Sequence, residues 1–574
     1  MPPKKLLEVQ GLCVDFKNDD GVRRVVNEVS YTLHRGRTLG IVGESGSGKS
    51  VSSMAIMGLL PKNGKVSGGK IFFHGIPAEQ FYQSGADVEL KPVELTNLSE
   101  RQLRWYRGSR ISMVFQEPMT SLNPVQRCGA QVVEMLRLHQ DVTYSEAKER
   151  VIELFKEVLL PRPEKIFNSY PHEISGGQKQ RVMIAMALVC NPDLIIADEP
   201  TTALDVTVQK TILDLLRQLQ QKHNIGIIFI SHDLGVIGQI ADDVAVMYKG
   251  EIVEQGPVEQ ILHHPQHPYT KGLLACRPPM EGRPLHLHTV SDFLEGRIDD
   301  TNVQEEAPVA NGEKSVLLSA KDIEVVYTQQ KNLFGRAKKS LTAVDHVTFD
   351  VFRGETLGLV GESGCGKTTL GRTLLRLIDS ASGNIEYQGQ RLDQLNQHQM
   401  RALRPKMQII FQDPYSSLNP RLTIGEAILE PLRLYNHISK KEVQARVLDL
   451  MQQVGLEASW YNRYPHEFSG GQRQRVCIAR ALILNPELVV CDESVSALDV
   501  SVQAQVLNLL NDLKRKYGYT YIFISHDLSV VRFLSDRIMV MQRGKIVESG
   551  TADDIYNHPQ QEYTQNLIAS IPRI

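Results

Sequence analysis

Short apolar runs alternate along the chain with segments whose hydrophobic residues recur at helical spacing. The runs TLGIV (38–42), LIIAD (194–198) and IGIIFIS (225–231) have the length and composition of strands buried in a parallel sheet. VIELFKEVLL (151–160) and VLDLMQQVGL (447–456) instead place their apolar residues at the spacing of a helix. The pattern predicts an α/β fold.

The same pattern occurs twice. GESGSGKS (43–50) matches GESGCGKT (361–368), and FQEPMTSLNP (115–124), YPHEISGGQKQR (170–181), the string around Asp198 and FISHDL all recur in the same order. The copies are 318 positions apart at Lys49 and Lys367 but 294 apart at Asp198 and Asp492. We therefore predict an insertion in the first copy, mostly between His74 and Arg104, as a surface elaboration.

The repeat predicts two domains, 1–280 and 317–574, joined by a linker at 281–316. The linker has eight acidic and three basic side chains and no periodicity, so we expect a solvated segment. The whole chain of 574 residues has a net charge of -2, which gives no reason to expect nucleic acid as a partner. The seven scattered cysteines indicate neither a disulfide framework nor a metal site.

No apolar run approaches the ~18 residues that span a bilayer, and the N-terminal residues do not resemble a signal peptide. We therefore expect a cytosolic protein whose membrane role, if it has one, comes from partners.

The glycine-rich strings lie between a predicted strand and a predicted helix, as a phosphate-binding loop does. Backbone N–H groups of such a loop surround the phosphates, and the helix N-terminus adds the positive end of its dipole. Lys49 and Lys367 would reach the β- and γ-phosphates of ATP. The predicted nucleotide-binding residues are Gly43, Glu44, Ser45, Gly46, Ser47, Gly48, Lys49 and Ser50 in the first loop, and Gly361, Glu362, Ser363, Gly364, Cys365, Gly366, Lys367 and Thr368 in the second.

Paired acidic residues end the second buried strand of each copy. Asp198 and Asp492 could face a metal ion, Mg²⁺, together with the hydroxyls of Ser50 and Thr368. Glu199 and Glu493 follow directly, on the opposite pleat, and are the candidates for polarising the attacking water. His232 and His526, each in the string Phe-Ile-Ser-His-Asp, could donate to the γ-phosphate.

These motifs resemble the nucleotide-binding subunits of ATP-binding cassette (ABC) transporters, and the resemblance covers both halves. It implies two tandem P-loop cassettes, each with a mixed sheet core and a helical signature subdomain. ISGGQ and FSGGQ are similar to the family signature, with Ile174 and Phe468 in place of the usual Leu. The signature residues are Ser175, Gly176, Gly177 and Gln178, and Ser469, Gly470, Gly471 and Gln472.

The resemblance also assigns further roles. Gln116 and Gln412 become Q-loop residues that sense the metal, and Asp205 and Asp499 become D-loop aspartates. Phe16 and Tyr327 are similar to the aromatic residue that stacks on adenine. In this family the cassettes face each other head to tail, so each ATP would lie between one phosphate loop and the other copy's signature. One fused chain would supply both sites.

SLNP, Tyr-Pro-His and HHPQHPYTKGLL (263–274) resemble importers of oligopeptides, dipeptides, nickel and related solutes. Tandem fusion is similar to the ATPases of glutathione and microcin-type peptide importers. The implied partners are two permease subunits and an extracytoplasmic solute-binding protein, with the ATPase peripheral on the cytoplasmic face of the inner membrane. The residues do not identify the solute, which could be a peptide, glutathione, a metal or an opine.

Three other functions share parts of this pattern. Tandem cassette ATPases of the ribosome or of DNA repair resemble this chain, but the ribosomal ones have a long, basic, helical linker, unlike the acidic one here. A regulator without turnover conflicts with the presence of both glutamates. An exporter ATPase is disfavoured by the importer-like strings.

Overall fold

The computed structural model describes residues 4–18, 21–75, 92–116, 121–202, 204–279, 282–297, 315–331, 337–435 and 440–572. The first copy contains the strands β1 (Lys5–Asn18), β2 (Gly21–His34), β3 (Thr38–Val42), β4 (Gly64–Phe73), β5 (Val93–Glu94), β6 (Ile111–Val114), β7 (Leu194–Asp198), β8 (Gly226–Ser231), β9 (Asp243–Tyr248) and β10 (Glu251–Pro257). Its helices are α1 (Lys49–Met57), α2 (Glu100–Tyr106), α3 (Cys128–His139), α4 (Tyr144–Glu157), α5 (Pro163–Asn168), α6 (Gly176–Leu188), α7 (Val206–His223), α8 (Leu234–Ile240), α9 (Val258–His263), α10 (Pro268–Ala275) and α11 (Val290–Leu294).

The second copy repeats this order. Its strands are β11 (Val316–Lys331), β12 (Ala337–Phe352), β13 (Thr356–Val360), β14 (Ser382–Tyr387), β15 (Gln390–Arg391), β16 (Met407–Ile410), β17 (Leu488–Asp492), β18 (Thr520–Ser525), β19 (Arg537–Gln542) and β20 (Lys545–Thr551). Its helices are α12 (Lys367–Leu374), α13 (Gln397–Leu403), α14 (Pro414–Ser417), α15 (Ile424–Tyr435), α16 (Lys440–Gln453), α17 (Gly470–Leu482), α18 (Val500–Tyr517), α19 (Leu528–Leu534), α20 (Ala552–Asn557) and α21 (Glu562–Ala569).

A six-stranded sheet forms the centre of each copy, in the order β10-β9-β3-β8-β7-β6 and its equivalent β20-β19-β13-β18-β17-β16. The strands β6, β7, β8, β3 and β9 are parallel, and β10 pairs antiparallel at the edge. All residues of β3, β7 and β8 are buried, as continuous apolar strands require when both sheet faces are covered. The predicted α/β fold is confirmed.

The parallel register brings the functional motifs to one edge of this sheet. The phosphate loop follows β3, Glu199 follows β7 and His232 follows β8, each at the strand's carboxyl end. Ligands of open α/β sheets bind at this edge, because the loops there converge. Between β6 and β7, helices α3 to α6 form the predicted helical segment, and the runs 151–160 and 447–456 begin in α4 and α16.

The insertion of the first copy lies in a hairpin of a second, antiparallel sheet. Phe73 of β4 pairs with Val93 of β5, so 19 residues separate the paired positions. In the second copy Tyr387 pairs with Gln390, with two residues between them. The pairing therefore narrows the predicted range, 74–104, to the β4–β5 connection, of which residues 76–91 lie outside the described part of the chain.

The expectation of a solvated linker is wrong for its first half. Residues 282–297, which we call the strap, include the short helix α11 and bury Leu287 and Val290 at 2% and 5% exposure. The backbone N–H of Leu287 donates to Asn508 Oδ1 (2.8 Å), and Asn508 Nδ2 donates back to the Leu287 carbonyl (2.8 Å). Asn508 holds the strap through backbone groups of Leu287. Such contacts do not require a repeating pattern of hydrophobic residues, so the sequence of the strap shows no periodicity.

Buried side chains of both copies belong to one continuous apolar cluster. It contains Leu204 and Leu287 from the first half and the strap, and Val500 and Ile571 from the second copy. Among the described helices, none is both long and apolar enough to cross a bilayer.

Candidate nucleotide sites

In each glycine-rich loop, the lysine side chain contacts the backbone carbonyls of the first two loop residues. Lys49 Nζ donates to the carbonyls of Gly43 (2.7 Å) and Glu44 (2.9 Å), and Lys367 Nζ donates to those of Gly361 (2.6 Å) and Glu362 (2.9 Å). Burial lowers the pKa of Lys49, against the opposing effect of nearby carboxylates. Each loop therefore holds its lysine ammonium group against its own backbone, at the predicted phosphate site.

The glycine directly before each loop lysine has backbone angles that other residues avoid. Gly48 and Gly366, at the start of α1 and α12, have φ of 100° and 112°. A Cβ atom at Gly366 would also lie 2.2 Å from the Ala343 carbonyl oxygen. Glycine is required here on both counts.

The predicted hydroxyl and carboxylate pairs meet in both copies. Ser50 Oγ donates to Asp198 Oδ1 (2.9 Å), and Thr368 Oγ1 donates to Asp492 Oδ1 (2.8 Å). Burial raises the pKa of Asp198 to about 6, and burial also raises the pKa of Asp492. These carboxylates are poorly solvated, and a cation would stabilise their charged form.

Asp198 and Asp492 differ in one charged neighbour, which the alignment of the two copies did not indicate. Arg372 Nη2 lies 3.6 Å from Asp492 Oδ2. The equivalent position in the first copy is Met54, which has no charge. Asp492 Oδ2 is buried and has no hydrogen-bond partner among the described residues.

Glu199 and Glu493 do not continue the strand alternation that the sequence analysis expected. Strands β7 and β17 end at the preceding aspartates, and the glutamates have φ of 47° and 48°. Left-handed backbone at a residue other than glycine is strained and persists where the surroundings fix it. The turn directs the Glu199 carboxylate toward polar side chains instead of the opposite face of the sheet.

Three side chains contact one oxygen of Glu199. Gln116 Nε2 (3.1 Å) and Thr202 Oγ1 (2.9 Å) donate to Oε2, and His232 Nδ1 lies 3.3 Å from the same atom. Burial would raise the pKa of Glu199, but His232 and Lys49 outweigh it and lower the pKa to about 2. The pKa of His232 is raised, because Glu199 outweighs its burial. Glu199 is therefore ionised at neutral pH.

Glu493 has a similar setting with one contact fewer. Gln412 Nε2 donates to its Oε2 (2.8 Å), and His526 Nδ1 lies 3.7 Å from that oxygen. Ser496, the counterpart of Thr202, instead donates to the Glu493 backbone carbonyl (2.9 Å). Burial would raise the pKa of Glu493, but His526 and Lys367 lower it.

The signature residues form helix N-termini. Ser175 caps α6: its Oγ accepts from Gln178 N (3.4 Å), and its own N–H donates to Gln178 Oε1 (3.1 Å). Ser469 and Gln472 repeat both bonds at the start of α17. Both serines are exposed, so each helix presents its N-terminus, the positive end of its dipole, at the surface.

Hydrogen bonds join the two copies beside the phosphate loops. Ser45 N donates to Asp499 Oδ2 of the second copy (3.4 Å). In the converse direction, Thr207 Oγ1, which also donates to Asp205 Oδ1 (2.6 Å), donates to Glu362 Oε1 (3.2 Å). The residues that follow β7 in the first copy and β17 in the second thus contact the glycine-rich loop of the other copy.

Two tyrosines that the sequence analysis did not single out contact the loops. The hydroxyls of Tyr269 and Tyr563 accept from Glu44 N (2.9 Å) and Glu362 N (3.0 Å). Tyr269 lies in the importer-like string HHPQHPYTKGLL (263–274), and Tyr563 lies in the corresponding string NHPQQEYTQNLI (557–568) of the second copy.

Phe16 and Tyr327 lie in the first strand of each antiparallel sheet. Phe16 is half-buried and pairs with Gly64 of β4, while Tyr327 is 40% exposed and pairs with Leu341 of β12. A ring contact with adenine stays a prediction for both.

Comparison with known proteins identifies the family. Residues 26–202 and 344–496 match the family model described as ABC transporter. Residues 253–294 and 547–574 match the model described as Oligopeptide/dipeptide transporter, C-terminal region.

Curated relatives match nearly the whole chain. The chain is 48% identical over 573 residues to the glutathione import ATP-binding protein GsiA of Escherichia coli O157:H7, covering 99% of this chain and 89% of the relative. GsiA of Shigella dysenteriae serotype 1 is also 48% identical over 573 residues, with the same coverage, and GsiA of Escherichia coli strain K12 is 47% identical over 572 residues. Among solved structures, the dimeric ATP-binding cassette MJ0796 bound to ADP and Pi is 27% identical, with a TM-score of 0.38, covering 41% of this chain and 98% of that one. With two matching cassettes and relatives at this identity, the chain belongs to the ABC transporter family as an ATPase with two ATP-binding cassettes and the oligopeptide/dipeptide transporter C-terminal region.

Proposed function

We propose that the chain is the ATP-hydrolysing subunit that drives a binding-protein-dependent importer of peptides, glutathione or related small solutes. The observation that carries this proposal is the combination of two complete phosphate loop, aspartate, glutamate and histidine sets with C-terminal regions of the peptide-transporter type. Relatives named for glutathione import span 99% of the chain, which supports a solute of that class.

The two cassettes are proposed to act as an intramolecular pair. One ATP would lie between the loop at 43–50 and the signature at 469–472, and the other between the loop at 361–368 and the signature at 175–178. The bonds from Ser45 to Asp499 and from Thr207 to Glu362 support this arrangement, since each joins one copy's loop to the other copy. Phe16 and Tyr327 would stack on the two adenines.

We infer that each site binds Mg²⁺ with ATP. The donor sets consist of hydroxyl, carboxylate and amide oxygens, the hard ligands that Mg²⁺ prefers: Ser50, Asp198 and Gln116, and Thr368, Asp492 and Gln412. Burial raises the pKa of both Asp198 and Asp492, so a bound cation would stabilise their charged forms. When bound, Mg²⁺ would neutralise charge on the phosphates.

The glutamates are proposed to orient the attacking water. Within the described ranges, the side chains that contact Glu199 meet Oε2, which leaves Oε1 to accept a hydrogen bond from water. A pKa of about 2 makes Glu199 a weak proton acceptor in the resting site. Its main contribution would therefore be to hold the water in line with the γ-phosphate, while His232 and the signature N–H groups stabilise the phosphate charge.

The partners would be two permease subunits, with the ATPase peripheral on the cytoplasmic face of the membrane and a solute-binding protein on the other side. Helices that fit a bilayer are lacking in the described residues, and importer relatives are named as ATP-binding proteins. ATP-driven closure of the cassettes and reopening after hydrolysis would move the permeases.

The test is purification of the tagged chain from its native membranes, followed by reconstitution of the purified assembly in liposomes. We expect two membrane-spanning proteins to co-purify, and labelled glutathione or dipeptide to enter the liposomes only with ATP and binding protein. The Glu199→Gln, Glu493→Gln double variant should assemble but not transport. Recovery of ribosomes in place of membrane proteins would contradict the importer.

A further inference from the structure

The phosphate loops are held from behind by tyrosines of the C-terminal regions. Tyr269 in α10 and Tyr563 in α21 belong to the stretches 253–294 and 547–574 that match the transporter C-terminal region. Their hydroxyl oxygens accept from the backbone N–H of Glu44 (2.9 Å) and Glu362 (3.0 Å). The same contact therefore occurs in both copies.

Each tyrosine fixes the peptide group that holds the lysine. The N–H of Glu44 and the carbonyl of Gly43 belong to one planar peptide, and that carbonyl accepts from Lys49 Nζ (2.7 Å). In the second copy the carbonyl of Gly361 likewise accepts from Lys367 Nζ (2.6 Å). Because the plane is rigid, a bond to its N–H sets the direction of its carbonyl, and hence the position of the ammonium group.

The tyrosines are themselves well fixed. Glu254 of β10 accepts from Gln266 N (2.7 Å) and His267 N (3.1 Å) just before Tyr269. Glu548 of β20 accepts from the equivalent Gln560 and Gln561 (2.7 and 3.2 Å). Tyr269 is fully buried, with its ring 4.3 Å from that of Tyr248. Burial raises the pKa of both phenols, so they remain neutral acceptors.

We propose that Tyr269 and Tyr563 are positioning residues for ATP, through which each C-terminal region holds the phosphate lysine of its own cassette in place. The inference rests on the ATP sites proposed above. Without the hydroxyl, the peptide is free to turn its N–H toward water in the free protein. ATP binding must then turn it back, so affinity falls while stability without nucleotide changes little.

The experiment measures nucleotide affinity at one site at a time. In the Glu199→Gln, Glu493→Gln chain, Lys367→Ala silences the second site, and a fluorescent ATP analogue is titrated onto the first. Tyr269→Phe keeps the ring and removes the hydroxyl, and we expect about tenfold weaker binding. The unfolding midpoint without nucleotide should stay unchanged. Tyr563→Phe, tested with Lys49→Ala, should do the same at the second site.

Two controls separate this role from general packing. Tyr248→Phe makes the same chemical change on the neighbouring ring and should leave affinity unchanged. Adding Tyr269→Phe to Lys49→Ala should weaken binding no further, because the tyrosine acts through the lysine. Equal affinity of the Tyr269→Phe and parent chains, or an equal loss in Tyr248→Phe, would overturn the inference. Unchanged affinity in Lys49→Ala would instead show that the proposed ATP site is wrong.

Discussion

Thr202 and Ser496 occupy equivalent positions, three residues after the two glutamates, but their hydroxyls have different acceptors. Thr202 donates to the Glu199 carboxylate, and Ser496 donates to the Glu493 backbone carbonyl. Both carboxylates nevertheless keep a glutamine donor and a neighbouring histidine, and the pKa of each is lowered. The groups that orient water are thus present in both sites.

We predict that Glu199→Gln and Glu493→Gln behave alike. Misplacing a reacting group by about 1 Å can cost about 10² in rate, so loss of the water-orienting carboxylate should strongly reduce hydrolysis at its own site. Steady-state ATPase rates of the two variants, measured with permeases present, should agree within a few-fold whether the sites alternate or act independently. Glu259→Gln, at an exposed position, is the control. A near-normal rate in one variant beside an inactive other would show that only one site performs the chemistry.

Asp198 should make the stability of the nucleotide-free protein depend on pH. Its folded-state pKa of about 6 lies above the ordinary value of 3.8 because it is buried, so the folded protein binds this proton more tightly than the unfolded chain. Stability therefore falls as pH rises from about 4 to 6, by about 3 kcal/mol, and stays lower above that range.

Asp198→Asn should remove this loss. We expect a higher denaturant midpoint than the parent at pH 8 and a clearly smaller difference at pH 4.5, measured by circular dichroism. Asp214→Asn, at an exposed position of α7, should follow the parent at both pH values. A parent midpoint that does not fall relative to Asp198→Asn between the two pH values would contradict the prediction.

Individual elements were largely predictable from the sequence because their signals are local. Apolar runs identified the strands β3, β7 and β8, and the glycine-rich strings identified the loops between strand and helix. The meeting of Ser50 with Asp198 followed from the phosphate-loop motif and from the carboxylate that ends β7. The contact of Tyr269 with Glu44 did not, because its donor is a backbone N–H, which every residue except proline has. The strap was predicted to be solvated for the same reason, because its contacts with Asn508 involve backbone groups.

The strap is expected to depend on Asn508. This side chain pairs with both backbone groups of Leu287, at 2.8 Å each, and Asn511 Nδ2 donates to the Leu285 carbonyl (3.1 Å). Asn508→Ala leaves two backbone groups without partners, which costs about 1 to 3 kcal/mol. We predict faster limited proteolysis within 282–297, because local opening then requires less free energy. Asp214→Ala, at the equivalent but exposed position of the first copy, should leave cleavage unchanged.

At the scale of the whole molecule, the two cassettes share one chain and one apolar cluster. The concentration of one cassette around the other is then set by the linker and not by the amount of protein. We predict that ATP-bound closure does not depend on concentration. Light scattering of the Glu199→Gln, Glu493→Gln variant with ATP should give the mass of one chain across a wide dilution series. A doubling of mass with ATP would contradict an intramolecular pair.

The arginine beside Asp492 has a consequence for how such a protein changes over generations. In an assembly of two identical ATPase subunits, any mutation appears in both halves, so a change that suits one half must be tolerated by the other. Here Arg372 corresponds to an uncharged Met54, and the hairpin between Phe73 and Val93 is longer than its counterpart between Tyr387 and Gln390. Because the two halves are encoded separately within one gene, a mutation can change one half while the other half keeps its residues.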